Sequence, residues 1–194
     1  MPAQCTFTLN RQPVSTLYCS GLSGGGVAAF SGKPAYVDNP DAQAVPNAGP
    51  IPQGMYYIIA RQSGGRLGWL WDFVKDYVSN SERDQWFALY RNDRMVSDHT
   101  FVNGVQRGNF RLHPNGRFGV SEGCITLLSR GQFDKLRTWL LSQRPEMVPG
   151  TSIPYYGTVP SNEDRPAYVA ERSANDSGIS CRRENRSSEG MAFQ

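Results

Sequence analysis

Short runs of alternating apolar and polar residues, each closed off by turn-forming residues, constrain this chain more than any other feature. CTFTL (residues 5–9) alternates, STLYC (15–19) follows a proline-containing turn, and Gly24-Gly25-Gly26 opens VAAF (27–30). Period two marks a strand with one buried face. Five-residue runs spaced by Gly, Pro and Asn therefore read as neighbouring strands of a sheet. Residues 39–53, rich in Pro, Asn, Ala and Gly, read as a long irregular loop.

Two segments switch to a helical period. Over 66–80, Leu67, Leu70, Trp71, Val74 and Val78 fall on one side, with Asp72, Lys75 and Asp76 opposite. Such a stripe is read as core packing rather than a partner surface. A second helix begins at Ser129, where Ser129-x-x-Gln132 has capping-box spacing and Phe133, Leu136, Trp139 and Leu140 form the apolar side. Further strands are expected at 86–91, before the turn Asn92-Asp93-Arg94, around His113, from Cys124 onward, and at 153–156. The expected fold is mixed and β-rich, a β-sandwich or barrel core with two peripheral helices. Residues 1–160 form one domain on this reading. Residues 161–194 turn polar and poor in apolar side chains, an expected tail that is extended or wraps the domain.

A chain of 194 residues is long enough to bury a full core. Its net charge of +3 is mild, and no Lys/Arg cluster interleaves with aromatics, so a nucleic-acid partner is not expected. No apolar run approaches the length of a membrane span, and MPAQCTFTLNRQ lacks the basic and apolar regions of a secretory signal. The expectation is a protein made in the cytoplasm, without membrane insertion, and exported by a route that reads no such signal, or else a mature form. Of four cysteines, Cys5 and Cys19 lie on adjacent candidate strands and are open to pairing; buried free thiols are the equal alternative.

The chemistry concentrates in RGNFRLHPNGRFGVSEGCITL, where His113 and Cys124 stand eleven positions apart. A cysteine attacks as its thiolate and needs a base, and His113 is the natural candidate. In FRLH, His113 shares a face with Arg111, while Phe110 and Leu112 point the other way. Gly123 permits a sharp turn that aims the amides of Gly123 and Cys124 at a developing oxyanion. His99, after Asp98, is the rival base. Other thiol chemistries fit poorly. No histidine follows Cys124, which excludes the papain-like order. Cys124 to Arg130 matches Cys-x5-Arg, yet ITLLS lacks the glycine that a phosphate-cradling loop needs. No His/Cys/Asp set has metal-knuckle spacing, so neither a metal nor another cofactor is expected.

HPNG followed by SEGCI resembles the catalytic signature of L,D-transpeptidases of the YkuD type. GPIPQGMYYI (49–58), AFSG (29–32) and RGNFRLHP (107–114) resemble its branch of type VI secretion effectors that act on peptidoglycan, over roughly residues 5–157. The resemblance places GPIP at the approach to a strand, which residues 55–60 fit. It implies an L,D-transpeptidase-like core with Cys124 as nucleophile, His113 in preference to His99 as base, and a backbone carbonyl orienting that histidine. Gly123 and Ser121 become oxyanion and positioning residues. The implied substrate is the peptidoglycan stem, cut before its terminal D-alanine or exchanged with a D-amino acid in the periplasm of target bacteria. A secretion apparatus and a cognate immunity protein are the implied partners. Relatives often carry Arg or Asn where this chain has Thr126, so Arg111 and Arg117 become candidates for substrate-carboxylate binding, with solvated charges as the alternative. A housekeeping enzyme crosslinking the host's own wall, and a non-catalytic peptidoglycan-binding module, are the alternative functions.

Overall fold

The computed structural model describes residues 1–60, 85–93, 96–116 and 119–163. The expected helix over 66–80, Arg117, Cys181 and the polar C-terminal segment beyond residue 163 lie outside the described residues.

The alternating runs close into an eight-stranded barrel. Its strands are β1 (Ala3–Leu9), β2 (Ser15–Cys19), β3 (Gly26–Phe30), β4 (Gly54–Ala60), β5 (Phe87–Arg91), β8 (Arg111–Pro114), β9 (Ile125–Leu127) and β12 (Gly157–Glu163). Outside the barrel lie the hairpin β6 (His99–Val102) and β7 (Val105–Gly108), and the pair β10 (Glu146–Met147) and β11 (Pro154–Tyr155). The order around the barrel is β1-β12-β4-β5-β8-β9-β3-β2. β1 with β12 and β8 with β9 run parallel, and the other barrel neighbours are antiparallel.

Alternation decides the inside. Phe7, Leu9, Leu17, Val27, Ile58, Leu112, Ile125 and Leu127 all belong to one core. β4 and β5 read as nearly continuous apolar runs because both of their faces are covered. Tyr57, Ile59, Ala88 and Tyr90 form a second cluster outside the barrel with Val148, Ile153 and Tyr155, the Tyr57 and Tyr155 rings 4.9 Å apart. Cys5 and Cys19 face each other across β1 and β2 and are joined as a disulfide, which decides the question that the sequence left open.

The expected β-rich fold is what forms, with one α-helix among the described residues, α1 (Arg130–Ser142). Its N-cap Ser129 accepts from the Gln132 N–H, and Phe133, Leu136 and Leu140 are buried. Burying each such side chain contributes roughly 1.5–3 kcal/mol. Two features depart from the pattern reading. The expected strand over 153–156 is a two-residue strand of the small outer sheet, and the barrel is closed instead by Gly157–Glu163, which continues past the composition shift at Pro160. The turn-rich region around His99 is a hairpin. Asn103 and Gly104 both have positive φ (50° and 78°), as a tight two-residue hairpin turn requires.

Candidate active site

β8 and β9 are parallel neighbours in a register that sets His113 beside Thr126 and Leu112 beside Ile125. Leu112, Ile125 and Leu127 point into the core, so His113, Thr126 and Cys124 share the outer face. Cys124 sits immediately before β9 and two residues before Thr126, which places it diagonally across the strand pair from His113. The strand pairing thus brings together the two residues that the sequence set eleven apart. His99 is exposed on β6, opposite Gly108.

His113 is 7% exposed, and contacts on three sides orient its ring. Nδ1 lies 2.8 Å from the Pro114 carbonyl, an acceptor only, so this nitrogen carries the proton. Nε2 is then the basic nitrogen. It faces outward toward the Thr126 hydroxyl at 3.3 Å. Trp86 stacks on the ring face with centroids 4.4 Å apart and planes 20° from parallel.

The Cys124 thiol donates to the Asn109 carbonyl at 3.7 Å. Burial pushes it up from 9.0 to about 11; the Arg111 charge and the Arg111 backbone N–H pull the other way, and Glu122 and Asp98 add to the rise. The resting nucleophile is therefore a neutral thiol at physiological pH, and its proton has to leave as attack begins. Arg111 is not a solvated charge. Its terminal nitrogens bind the two oxygens of buried Asp98 at 2.6 and 2.5 Å, so a substrate carboxylate would have to compete for it.

The loop before the cysteine is held by its own polar groups. Ser121, 2% exposed, donates to the Cys124 carbonyl at 2.8 Å and accepts the Gly123 N–H at 3.4 Å. Ser121 thus braces the loop rather than His113, and the Gly123 amide is partly engaged before any substrate arrives. Gly123 has φ +115°, and a Cβ there would lie 2.7 Å from Arg107 Nη2 and 2.9 Å from the Phe110 ring. Only glycine fits this corner. Glu122 turns outward to Lys33 at 2.9 Å. Residues 125–127 form β9 and Ser129 caps α1, so the Cys-x5-Arg stretch is strand and cap rather than a phosphate cradle.

Several contributors were not legible as such. Asp98 figured as a neighbour of His99 and in a rejected set of metal ligands, Thr126 as a departure from a pattern, and Trp86 as the start of a strand. Arg107, 4% exposed, donates to the carbonyls of Gln43, Gly49, Pro50 and Glu122, tying the long loop to the cysteine loop. For Asp98 and Arg107 the usable signal was the Asn103-Gly104 turn, since a recognised hairpin would have brought both toward the site. Among the described residues, no three His, Cys, Asp or Glu side chains cluster as metal ligands.

A family model, the Tlde1 domain, matches residues 25–151, from the start of β3 to the loop before β11 and including His113 and Cys124. Comparison with curated proteins and with solved structures gives no match.

Proposed function

The chain belongs to the Tlde1 domain family of type VI secretion effectors, and on that premise we propose that it is a cysteine-dependent acyl transferase acting on peptidoglycan stem peptides. The observation that carries the reading is the outer face of β8 and β9, where the Nε2 side of an oriented imidazole lies diagonal to a thiol on a glycine-cornered loop. His113 Nε2 takes the Cys124 proton as sulfur attacks the carbonyl before the terminal D-alanine. The same nitrogen then gives that proton to the leaving amine, which departs as D-alanine and leaves a thioester on Cys124. Water or the amine of a D-amino acid then attacks the thioester, again losing its proton to His113; the C–S bond breaks, His113 returns the proton to the departing Cys124 sulfur, and the shortened or exchanged stem is freed. Backbone amides at the cysteine corner stabilise the oxyanion of each tetrahedral intermediate.

The Arg111 guanidinium favours the thiolate through its field, and Asp98 fixes where that charge sits. No helix of the described residues is long and apolar enough to cross a membrane. The reading places the protein in the periplasm of a target cell after delivery by a secretion apparatus, and calls for an immunity protein in cells that make it. The test is mass spectrometry of muropeptides after incubation with purified protein. Tetrapeptide stems should become tripeptides, or exchange D-alanine for added D-methionine. Cys124→Ala should abolish both reactions and His113→Ala should nearly do so. Turnover by folded Cys124→Ala at the wild-type rate would falsify the thiol mechanism.

A further inference from the structure

Thr126 stands on β9 as the register partner of His113, two residues after Cys124. It is fully buried, so its hydroxyl is closed off from solvent and acts through a neighbour. That neighbour is the imidazole, whose Nε2 lies 3.3 Å from Oγ1. The contact falls on the nitrogen that exchanges the proton, because Nδ1 is held by the Pro114 carbonyl at 2.8 Å. The thiol is turned to the Asn109 carbonyl. Asn109 is fixed there in the left-handed region, with φ +58° and its N–H donated to the Asp98 carbonyl at 2.9 Å. In the resting protein, then, Nε2 is engaged by a hydroxyl while the thiol is engaged by a carbonyl.

A hydroxyl serves such a nitrogen in both of its states. It donates to the lone pair of the neutral ring and, after rotating about its C–O bond, accepts from the N–H of the protonated ring. The two bonds are unequal. The second is charge-assisted and roughly twice as strong, so the hydroxyl favours the imidazolium. With His113 7% exposed, water competes little for the contact. Charged groups surround the ring from other elements. Arg111, on the same face of β8, is paired with Asp98 before β6. Cys124 and Glu122 lie on the loop before β9, Glu122 paired with Lys33. Arg130 and Arg137 of α1 bind Gln85, next to the Trp86 that stacks on the ring. These groups act at a distance or through the ring face, whereas Thr126 acts on Nε2 itself.

We propose that Thr126 is a positioning residue for the acid–base cycle, its hydroxyl holding His113 Nε2 in both protonation states and strengthening the base that takes the Cys124 proton. The assignment rests on the thiol–imidazole reading above. As sulfur attacks, the S–H proton moves to Nε2, and the new N–H donates to Thr126 Oγ1. When that proton passes to the leaving amine, the hydroxyl turns back and donates to the lone pair. The proton on Oγ1 stays there throughout.

Proton NMR titration of the two histidines of the full chain reads the effect without substrate, and His99→Ala assigns the pair. Thr126→Val keeps the branched shape and removes the oxygen; Thr126→Ser keeps the oxygen. The valine variant should lower the His113 midpoint by about one pH unit, a tenfold loss of proton affinity equivalent to about 1.4 kcal/mol, and serine should restore most of it. An unchanged His99 midpoint is the folding control, and Thr126→Ala repeats the test without the oxygen should valine not fold. In muropeptide turnover, valine should lower kcat about threefold to tenfold with KM unchanged, and move the acid limb of the pH profile down with the His113 midpoint. A wild-type His113 titration in folded Thr126→Val overturns the proposal. So does a serine variant that behaves like valine, since methyl packing would then be what matters. A shifted titration with no turnover of any muropeptide by wild type would uphold Thr126 and sink the peptidoglycan reading.

Discussion

Half-buried Cys124 and fully buried Asp38 carry the predictions at the scale of single residues. Because burial holds Cys124 at about 11, alkylation by iodoacetamide should be slow at neutral pH and rise about tenfold per pH unit toward that value. Arg111→Gln should slow it further by removing a charge that favours the thiolate. A plateau between pH 7 and 8 would mean a preformed thiolate and remove the need for a base. Asp38 is fully buried: its Oδ1 accepts the Ser31 N–H at 2.9 Å, and its Oδ2 has no partner among the described residues. Burial raises it from 3.8 to about 7. The native state therefore favours the protonated acid. Its contribution is complete below pH 3.8 and is lost as pH rises through 7, on the order of 4 kcal/mol at about 1.4 kcal/mol per pH unit. Asp38→Asn should flatten that fall in a pH series of thermal melts, and a slope equal to wild type would clear Asp38 of the effect.

Among the elements, the β6–β7 hairpin does more than its size suggests. Asp98, just before β6, fixes Arg111, and Arg107 on β7 reaches four carbonyls in two loops. Arg107 lies 5.6 Å from the Phe110 ring centre and fills the space that Gly123 leaves open. Arg107→Met should destabilise the protein by about 3 kcal/mol or more, because buried carbonyls lose their donors. Arg107→Lys should recover little, since an ammonium lacks the planar fork that spans several acceptors. Urea unfolding measures both, and a lysine variant with the wild-type midpoint would show that charge alone suffices. The hairpin's Asn-Gly turn was present to be read. Polar turn residues around it hid the short strands, and β12 was hidden likewise because GTVPSNE alternates inward Gly157, Val159 and Ser161 rather than large apolar residues.

For the whole molecule, barrel closure and place of action matter together. β1, β2 and β12 lie outside the matched family segment, yet they complete the barrel whose opposite wall carries Cys124 and His113. Cytosolic expression should be tolerated, because the proposed substrate lies beyond the inner membrane. Directing the same chain to the periplasm of a Gram-negative cell should cause swelling or division defects as stems lose D-alanine. Growth and microscopy of four strains, cytosolic or periplasmic and wild type or Cys124→Ala, decide the matter. Equal growth of the two periplasmic strains would favour a housekeeping enzyme or a binding module instead.

Local pattern alone determined the β-rich class, the capped helix after Ser129, and a cysteine on a glycine corner in the loop that follows a histidine-bearing strand. Each of these is a property of a few consecutive residues, where period two, a capping hydroxyl or a missing Cβ acts at short range. Only the tertiary structure decided which polar groups meet. Arg111 found Asp98 thirteen residues away, Trp86 found the face of His113, Thr126 found Nε2, and Cys5 found Cys19. Alternation says which face a side chain occupies, while register and strand order say what stands opposite. Those are set by the burial of the whole barrel at once, so no single segment encodes them.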